Sequence, residues 1–368
     1  FTAPHGWYQE VLGSTWDGNE PDLIYYNLGN NQFNAVALDH ETYNHGGAVG
    51  DLNGDGILEI FSLSEWPTVA PWTQEEPYRG VLELETSGFY QRSENILPAS
   101  EFSGLITSDM RINDLNGDGY DDLVITVSPE IRTKGVSPSQ VNPSFKVGLS
   151  NGSLDPQNFT WTSYGTHQIS DETWTQYQAI NPDSSAFSSG VSNIETMDLD
   201  QDGDLDVLVG YYVESGNSWE TSTFSAFLNE NGSFQDSTSE IFPKQDINSS
   251  VENPTSFIFG FHQIDMNVDG FPDLVLETKS TDKWLKTEVS HSFFVSDGTQ
   301  LLPYQYESHG FNDEISATEA LRSADLNGDG FEDLIGIWKF NYVWKKGAEE
   351  IDNISSSILQ VLSAQLEL

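Results

Sequence analysis

An acidic pattern of nine residues occurs five times in this chain, and an apolar run follows each copy. The copies span residues 51–59, 114–122, 198–206, 265–273 and 325–333. Each has Asp at positions 1 and 5, Asn or Asp at position 3, Gly at position 6, and Asp or Glu at position 9. Ca²⁺ takes six to eight oxygen ligands, and Gly permits the sharp turn that brings the carbonyl of position 7 toward the ion. The pattern therefore predicts calcium loops that alternate with strands.

The predicted calcium ligands are the side chains at positions 1, 3, 5 and 9 together with the backbone carbonyl at position 7. In chain order they are Asp51, Asn53, Asp55, Ile57 and Glu59; Asp114, Asn116, Asp118, Tyr120 and Asp122; Asp198, Asp200, Asp202, Asp204 and Asp206; Asp265, Asn267, Asp269, Phe271 and Asp273; and Asp325, Asn327, Asp329, Phe331 and Asp333. We expect one structural Ca²⁺ in each loop, about five in all.

Two other interpretations of the loops are weaker. An EF-hand needs Glu at position 12 and a helix on each side. Position 12 is occupied in turn by Ser62, Ile125, Val209, Leu276 and Gly336. A metal-free turn built by Asp and Asn is the second alternative. Such a turn leaves the repulsion among three or four carboxylates within nine residues uncompensated, and this favours a bound cation.

The composition excludes several classes of function. The net charge is −44, with 58 acidic against 14 basic residues, so the chain has no basic surface with which to bind nucleic acid. Cys is absent, which excludes disulfides and thiolate metal sites. No apolar run approaches the roughly 20 residues that a membrane-spanning helix needs. Since extracellular calcium fills sites of modest affinity, the loops favour a secreted or cell-surface protein, and the acidity suits a salty medium.

Two series of signals divide the chain into six similar units. Apolar runs rich in β-branched and aromatic residues follow the loops, and a sixth run at 22–26 follows a degraded loop at 14–23. Turn sequences that are typical of hairpins recur between the loops. They lie at 28–33, 87–89, 151–154, 231–234 and 297–298, with Gly347 as a sixth candidate. Residues 354–368 are compatible with either a helix or a strand.

These loops, each followed by an apolar strand and a later hairpin such as Asn231-Gly-Ser-Phe234, resemble the FG-GAP/VCBS repeats, which also occur in integrin α chains. The resemblance implies an all-β fold, a β-propeller of four-stranded antiparallel blades. Six blades are expected, with seven as the alternative, and five carry a calcium loop between their first and second strands. Residues 1–368 would form a single propeller domain that is closed by pairing of the N- and C-terminal segments.

In such a blade the connections alternate between two faces, so long insertions collect on the face opposite the calcium loops. The expected insertions are 64–80, 128–144, 155–190, 214–223 and 278–288. Flat aromatic side chains in these segments suit sugar rings or protein partners, although they could equally cover the blades. The candidate ligand-binding residues are Trp66, Trp72, Tyr78, Trp174, Tyr177 and Trp219.

Known catalytic motifs are not recognisable in the sequence: a nucleophile elbow, a zinc-protease motif and a phosphate-binding loop are all missing. The sequence therefore favours an exported, Ca²⁺-stabilised recognition or adhesion propeller. Its expected partner is a glycan or a cell-surface protein, bound on the face opposite the calcium loops. The alternative is an extracellular polysaccharide-degrading enzyme, a lyase or a hydrolase, because paired catalytic carboxylates cannot be picked out among 58 acidic residues.

Overall fold

A computed structural model gives the fold. The ranges that it describes are 20–29, 32–66, 79–84, 90–93, 97–102, 105–129, 144–165, 187–215, 218–243, 256–282, 286–304, 318–324, 333–346 and 349–362. Strands dominate these ranges, so the predicted all-β class is confirmed. The chain divides into two compact units, one containing Phe1–Gln176, Ser189–Ile194 and Glu230–Ser233, the other Tyr177–Ser188, Glu195–Asn229 and Phe234–Leu368.

The first sheet contains five strands in chain order, and its second strand has two partners. The strands are β1 (Glu20–Gly29), β2 (Gln32–Gly50), β3 (Glu59–Trp66), β4 (Arg79–Leu84) and β5 (Tyr90–Ser93). Residues 32–42 of β2 pair with β1, whereas residues 43–50 pair with β3. The second half of β2 is therefore the first strand of a four-stranded antiparallel sheet, and β1 forms a hairpin with the first half.

The second sheet is also four strands wide, but its first strand is interrupted. It contains β6 (Leu105–Ile106), β7 (Met110–Asn113), β8 (Asp122–Pro129), β9 (Ser144–Leu149) and β10 (Thr160–Tyr164). Both β6 and β7 pair with β8, at opposite ends of it. Between them, the backbone N–H of Thr126 donates to the carbonyl of Asp109 at 3.0 Å. A short helix α1 (Ala99–Phe102) precedes this sheet, and a 3-10 turn (Pro156–Asn158) lies between β9 and β10.

Three further sheets follow the same order. The third contains β11 (Phe187–Met197), β12 (Asp206–Ser215), β13 (Ser218–Glu230) and β14 (Ser233–Asp236), and α2 (Thr238–Ile241) follows it. The fourth contains β15 (Ser256–Ile264), β16 (Asp273–Asp282), β17 (Lys286–Ser296) and β18 (Leu301–Tyr304). The fifth has three strands in the described ranges, β19 (Thr318–Ala324), β20 (Asp333–Lys346) and β21 (Glu349–Leu362).

The repeat signals of the sequence correspond to fixed places in these sheets. Residues 87–89 and 325–332 lie outside the described ranges. Each of the four other acidic segments connects the first strand of a four-stranded sheet to the second strand. The turn sequences at 151–154, 231–234 and 297–298 lie between the third and fourth strands or reach into the fourth. In antiparallel sheets these two connections share one end, which we name the acidic-loop end. The number of units in the whole chain and its ring closure stay predictions.

Two predicted insertions are strands instead of loops. Residues 214–223 belong to the β12–β13 hairpin, in which Ser215 is opposite Ser218. Residues 278–288 belong largely to the β16–β17 hairpin, in which Asp282 is opposite Lys286. Both segments are polar but rich in Thr, a β-branched residue that suits strands, and pairing across the hairpin decides their structure.

One ambiguity near the C-terminus is also resolved. Residues 354–362 are part of β21 and so form a strand. Residues 363–368 and Gly347, the sixth hairpin candidate, lie outside the described ranges. None of the helices in the described ranges has the length and apolar character needed to span a bilayer.

Each unit has its own apolar core, and position 2 of the four described acidic loops is buried. The core of the first unit includes Phe61, Leu63, Met110, Leu123 and Ile125, and that of the second includes Leu208, Phe224, Phe261, Leu274 and Phe294. Position 2 is at most 3% exposed in the four described loops, where it is Leu52, Leu115, Leu199 or Met266. This apolar residue anchors an otherwise solvent-exposed turn to the sheet.

Two leucines of one loop test this anchoring. Leu52→Ala removes a fully buried side chain, and we expect it to lower the free energy of unfolding by about 2–5 kcal/mol. Leu58→Ala makes the same chemical change at a side chain that is 53% exposed, and should change stability by no more than about 0.5 kcal/mol. Urea denaturation of both variants measures the difference. Equal losses would contradict the anchoring role.

Candidate metal centre

The carboxylate at position 1 organises the loops of residues 51–59, 114–122 and 265–273 in the same way. Asp51 accepts hydrogen bonds from the backbone N–H of Asp55 at 3.0 Å and of Gly56 at 2.8 Å, one at each oxygen. Asp114 and Asp265 accept the equivalent pairs at 2.9–3.2 Å. Gly at position 6 has φ between +83° and +98° in the four described loops, a conformation that favours glycine. The turn is therefore folded around the first carboxylate.

Position 3 divides the loops into two kinds. In the loops of residues 51–59, 114–122 and 265–273, the Asn amide donates to the Asp carboxylate at position 5, at 2.8–3.2 Å. In the loop of residues 198–206 this position is Asp200, which has no such donor to offer when ionised. Three loops therefore contain an internal amide that compensates one carboxylate, and the loop of residues 198–206 lacks it.

The carboxylate at position 9 is buried in the four described loops, and in three of them it joins two parts of its sheet. Asp206 is 0% exposed, and its oxygens accept backbone N–H groups from Leu199 at 2.7 Å and from Asn229 at 2.8 Å. Leu199 is position 2 of the loop, and Asn229 lies near the end of the third strand. The equivalent pairs are Leu115 and Ser150 for Asp122, and Met266 and Ser296 for Asp273, at 2.7–3.0 Å.

Sequence reasoning assigned position 9 to metal binding alone and missed this structural role. Glu59 fits the same scheme, since it is 1% exposed and accepts the N–H of Leu52 at 2.9 Å. The constant separation of seven residues between an apolar position 2 and the acid at position 9 was the sequence signal for this structural role. A carboxylate that receives two backbone N–H groups still has lone pairs for a cation, so both roles are compatible.

Burial sets the electrostatics of these carboxylates. It raises the pKa of Asp206 to about 7, the two backbone N–H groups oppose this shift, and the charges of Asp200 and Asp198 add to it. Burial likewise raises the pKa of Asp122 to about 7 and that of Asp273 to about 6, where the loop carboxylates at positions 5 and 1 add to the shift. Without a positive charge nearby, ionisation of the position 9 carboxylate is therefore costly.

The loop of residues 198–206 has the donor set of a hard cation site. One carboxylate oxygen from each of Asp198, Asp200 and Asp206 lies within 4.8 Å of the other two. Oxygens on opposite sides of a Ca²⁺ ion with bonds of 2.3–2.6 Å are about 5 Å apart, so the cluster has a suitable size. In addition, Asp198 Oδ1 is buried and forms no hydrogen bond among the described residues. The residues present fit a divalent cation with oxygen ligands.

Position 7 contributes to packing in a way that the sequence did not reveal. Its N–H donates to the position 5 carboxylate in all four described loops, at 2.8–3.0 Å, for Ile57, Tyr120, Asp204 and Phe271. A Cβ on Gly152 would lie 2.9 Å from the ring of Tyr120, and one on Gly298 would lie 3.1 Å from that of Phe271. The aromatic side chain at position 7 therefore packs directly against the hairpin glycine in these two loops.

Several predicted residues lie outside the described ranges. Asp325, Asn327, Asp329 and Phe331 of the fifth loop are among them, whereas Asp333 begins β20 opposite Ala324. Among the aromatic candidates, Trp66 ends β3 and Trp219 lies near the start of β13. Both positions are at the end of their own sheet opposite the acidic-loop end. Trp72, Tyr78, Trp174 and Tyr177 are outside the described ranges.

Comparison with known proteins supports the type of repeat. Residues 198–276 match the family model of the FG-GAP-like repeat. The matched segment contains two acidic loops, 198–206 and 265–273, and is less than half of the chain. No curated protein matches the chain.

Several solved structures share a distant similarity. An exo-β-1,3-galactanase from Phanerochaete chrysosporium has 8% identity and a TM-score of 0.40, over 82% of this chain and 57% of that chain. A rhamnogalacturonan lyase has 12% identity and a TM-score of 0.40, over 81% and 47%. A GH62 hydrolase in complex with xylotriose has 10% identity and a TM-score of 0.33, over 86% and 90%. The chain thus spans less than two thirds of the first two proteins, and similarities of this degree leave its function unassigned.

The structural role of the acidic residues, which is to accept backbone hydrogen bonds, can be separated from their metal-binding role in the metal-free protein. Asp206→Asn replaces one acceptor oxygen by an NH₂ group, which leaves a buried N–H of Leu199 or Asn229 without an acceptor. We expect a loss of about 1–3 kcal/mol in urea denaturation with excess chelator. Asp200→Asn supplies the amide found in the other loops and should change metal-free stability by about 0.5 kcal/mol or less. Equal effects of the two substitutions would refute the structural role of position 9.

Proposed function

We propose that this chain is a Ca²⁺-stabilised β-propeller that serves as a recognition or adhesion module. The observation that carries the proposal is the convergence of Asp198, Asp200 and Asp206 within 4.8 Å, with an Asp198 oxygen that is buried and has no hydrogen bond. Ca²⁺ suits this loop because the donors are all oxygens and because it accepts irregular coordination, whereas Mg²⁺ demands a near-ideal octahedron. The other loops, which share the fold of the turn, are proposed as further sites.

The proposed role of the ions is structural. The position 9 carboxylate bonds position 2 of the loop and the third strand at the same time. A cation held by this carboxylate would favour its ionised form and so strengthen both hydrogen bonds. Because the unfolded chain does not hold the ligands together, calcium binding would add to the free energy of unfolding.

Calcium should therefore raise the stability of the protein. At a free Ca²⁺ concentration of about 100 times the dissociation constant, each occupied site adds about 2.7 kcal/mol. Thermal denaturation with CaCl₂ and with excess chelator measures the gain, and MgCl₂ serves as the control cation. The double substitution Asp200→Ala with Asp202→Ala should remove the part of the stability gain that comes from this one site. A melting curve that is unchanged in excess chelator would contradict the metal assignment.

The propeller arrangement is part of the proposal. Support comes from the repetition of one unit: a four-stranded antiparallel sheet whose first two strands flank an acidic loop. Radial repetition of such sheets leaves only short, protected edges, which is the usual solution for an all-β chain of this kind. Six blades, with seven as the alternative, would form a single domain over residues 1–368.

Recognition is proposed to occur at the sheet ends opposite the acidic loops. The acidic-loop end is occupied by compact turns, whereas the β12–β13 and β16–β17 hairpins extend at the other end. Trp66 and Trp219 lie at that other end of their respective sheets. Aromatic side chains beside polar groups bind sugar rings and protein hot spots. A glycan or a cell-surface protein is therefore the proposed partner, and an extracellular location would supply the calcium.

Glycan arrays with the calcium-loaded protein test this role. We expect retention of a glycan without chemical change, and a loss of affinity of about tenfold or more in Trp66→Ala or Trp219→Ala, the size of a hot-spot substitution. Leu58→Ala, at the acidic-loop end, is the control and should bind normally. New reducing ends or unsaturated products would favour the alternative function, a polysaccharide lyase or hydrolase. If no glycan binds, a glycan partner is excluded and a cell-surface protein is the remaining proposed partner.

A further inference from the structure

Two acidic loops contain the same turn at an asparagine but differ in the residue that follows it. Oδ1 of Asn116 accepts the backbone N–H of the residue two positions later at 3.0 Å, and Oδ1 of Asn267 does so at 3.1 Å. In both loops the Asn amide also donates to the carboxylate at position 5, at 3.2 and 2.8 Å. Position 4 is Gly117 in one loop and Val268 in the other. The two turns are therefore a closely matched pair with different side chains at position 4.

Val268 has a backbone conformation that valine rarely adopts. Its φ is +56°, in the left-handed region, and Gly117 has φ +71° at the equivalent position. A β-branched residue is strained in this region, whereas glycine is not. Burial does not compensate for the strain, because Val268 is 47% exposed. The packing of the loop therefore does not explain why valine occupies this position.

The side chain of asparagine can react with the backbone nitrogen that follows it, which is one reason why this residue is thermolabile. After losing its proton to water or hydroxide, the nitrogen attacks the side-chain carbonyl carbon. A new C–N bond closes a succinimide ring, and the bond to the amide nitrogen breaks with release of ammonia. Water then opens the ring and leaves aspartate or isoaspartate, so no other reagent is needed. Glycine leaves the attacking nitrogen open, whereas a β-branched side chain crowds it.

The turn at Asn116 brings the reacting groups together. Because Oδ1 bonds to the N–H of Asp118, the carboxamide is folded over the intervening nitrogen of Gly117. The same hydrogen bond polarises the side-chain carbonyl and stabilises the negative charge that develops on Oδ1 during the attack. The N–H of Gly117 donates to Asp114 Oδ1 at 2.8 Å, which draws its proton away from the nitrogen. Gly117 and Asp118 are exposed, so water reaches the turn.

The equivalent glycine of the loop of residues 51–59 is less open. The ring of Tyr120 lies against Gly54, since a Cβ there would be 2.9 Å from it. A Cβ on Gly117, by contrast, would meet nothing within 4 Å. Among the described turns of this kind, the one at Asn116 therefore offers the least hindrance to ring closure.

We propose that Asn116 is a site of spontaneous deamidation and that Val268 protects Asn267 from the same reaction. The reaction is independent of the proposed function and of any bound metal. It converts a neutral amide into a carboxylate and removes the donor to Asp118. Through the aspartate product, the loop acquires acidic side chains at positions 1, 3, 5 and 9, as in the loop of residues 198–206. The two kinds of loop are thus connected by one chemical step, and the strain at Val268 accompanies a more durable turn.

Peptide mapping of the full-length protein by mass spectrometry tests this proposal. The protein is kept at body temperature and mildly alkaline pH in excess chelator, and the peptides that contain Asn116 and Asn267 are followed over weeks. Conversion at Asn116 should be at least about tenfold faster than at Asn267, which corresponds to a barrier that is lower by about 1.4 kcal/mol. Fragmentation that distinguishes aspartate from isoaspartate, together with assay of the released ammonia, identifies the product.

Two substitutions exchange the residues at position 4 and serve as matched controls. Val268→Gly should bring the conversion rate of Asn267 to within about threefold of that of Asn116. Gly117→Val should slow conversion at Asn116 at least about tenfold, and the side chain has room because a Cβ there meets nothing. Val268→Gly relieves strain, so the proposal stays testable if the valine variant misfolds. Equal rates at the two asparagines of the parent protein, or no acceleration at Asn267 in Val268→Gly, would overturn the proposal.

Discussion

The buried carboxylate at position 9 is the interaction on which the rest of each sheet depends. Its two oxygens accept one N–H from the start of the acidic loop and one from the region where the third strand ends, as Asp206 does with Leu199 and Asn229. Three segments of the chain thus meet at a single side chain, whose two partners are seven and 23 residues away from it in sequence. Removing this group from water is costly, and charge-assisted hydrogen bonds to the backbone offset part of that cost. The same group gives the acidic-loop end of the sheet a fixed geometry.

This geometry explains the apolar and aromatic side chains of the loop pattern, which cannot themselves bind a cation as oxygen ligands. The apolar residue at position 2 is buried beside the N–H that the position 9 acid receives, as Leu115 is beside Asp122. The aromatic residue at position 7 covers the glycine of the neighbouring hairpin, as Tyr120 does with Gly152. The loop is therefore a packing unit as well as a candidate ion site, and a metal-free turn of this kind already satisfies most of its backbone groups.

Local chemistry made part of this structure predictable. The acidic turns, the strands that follow them and the hairpin at Asn231-Gly232 depend on neighbouring residues, and they lie where the sequence placed them. Contacts between residues that are far apart in the sequence were not predictable, because neighbouring residues do not determine them. Examples are the hydrogen bond between Asp121 and Asp51 and the change of pairing partner along β2. The polar segments at 214–223 and 278–288 looked like insertions because only their cross-strand partners make them strands. The sequence does not predict whether the aromatic candidates lie close to one another, since long connections decide their positions.

The balance of acidic and basic residues determines how the carboxylates of this chain can be compensated. With 14 basic residues against 58 acidic ones, most carboxylates cannot find an ion pair. The acidic loops instead use backbone N–H groups, whose number per turn is fixed, and an Asn amide at position 3 adds one more donor in three of the described loops. The loop of residues 198–206 has the same backbone but replaces that amide with the carboxylate of Asp200, and there an oxygen of Asp198 is buried without a hydrogen bond. Among the described residues, this is the loop in which three carboxylate oxygens lie within 4.8 Å of one another, a donor set that fits a hard divalent ion.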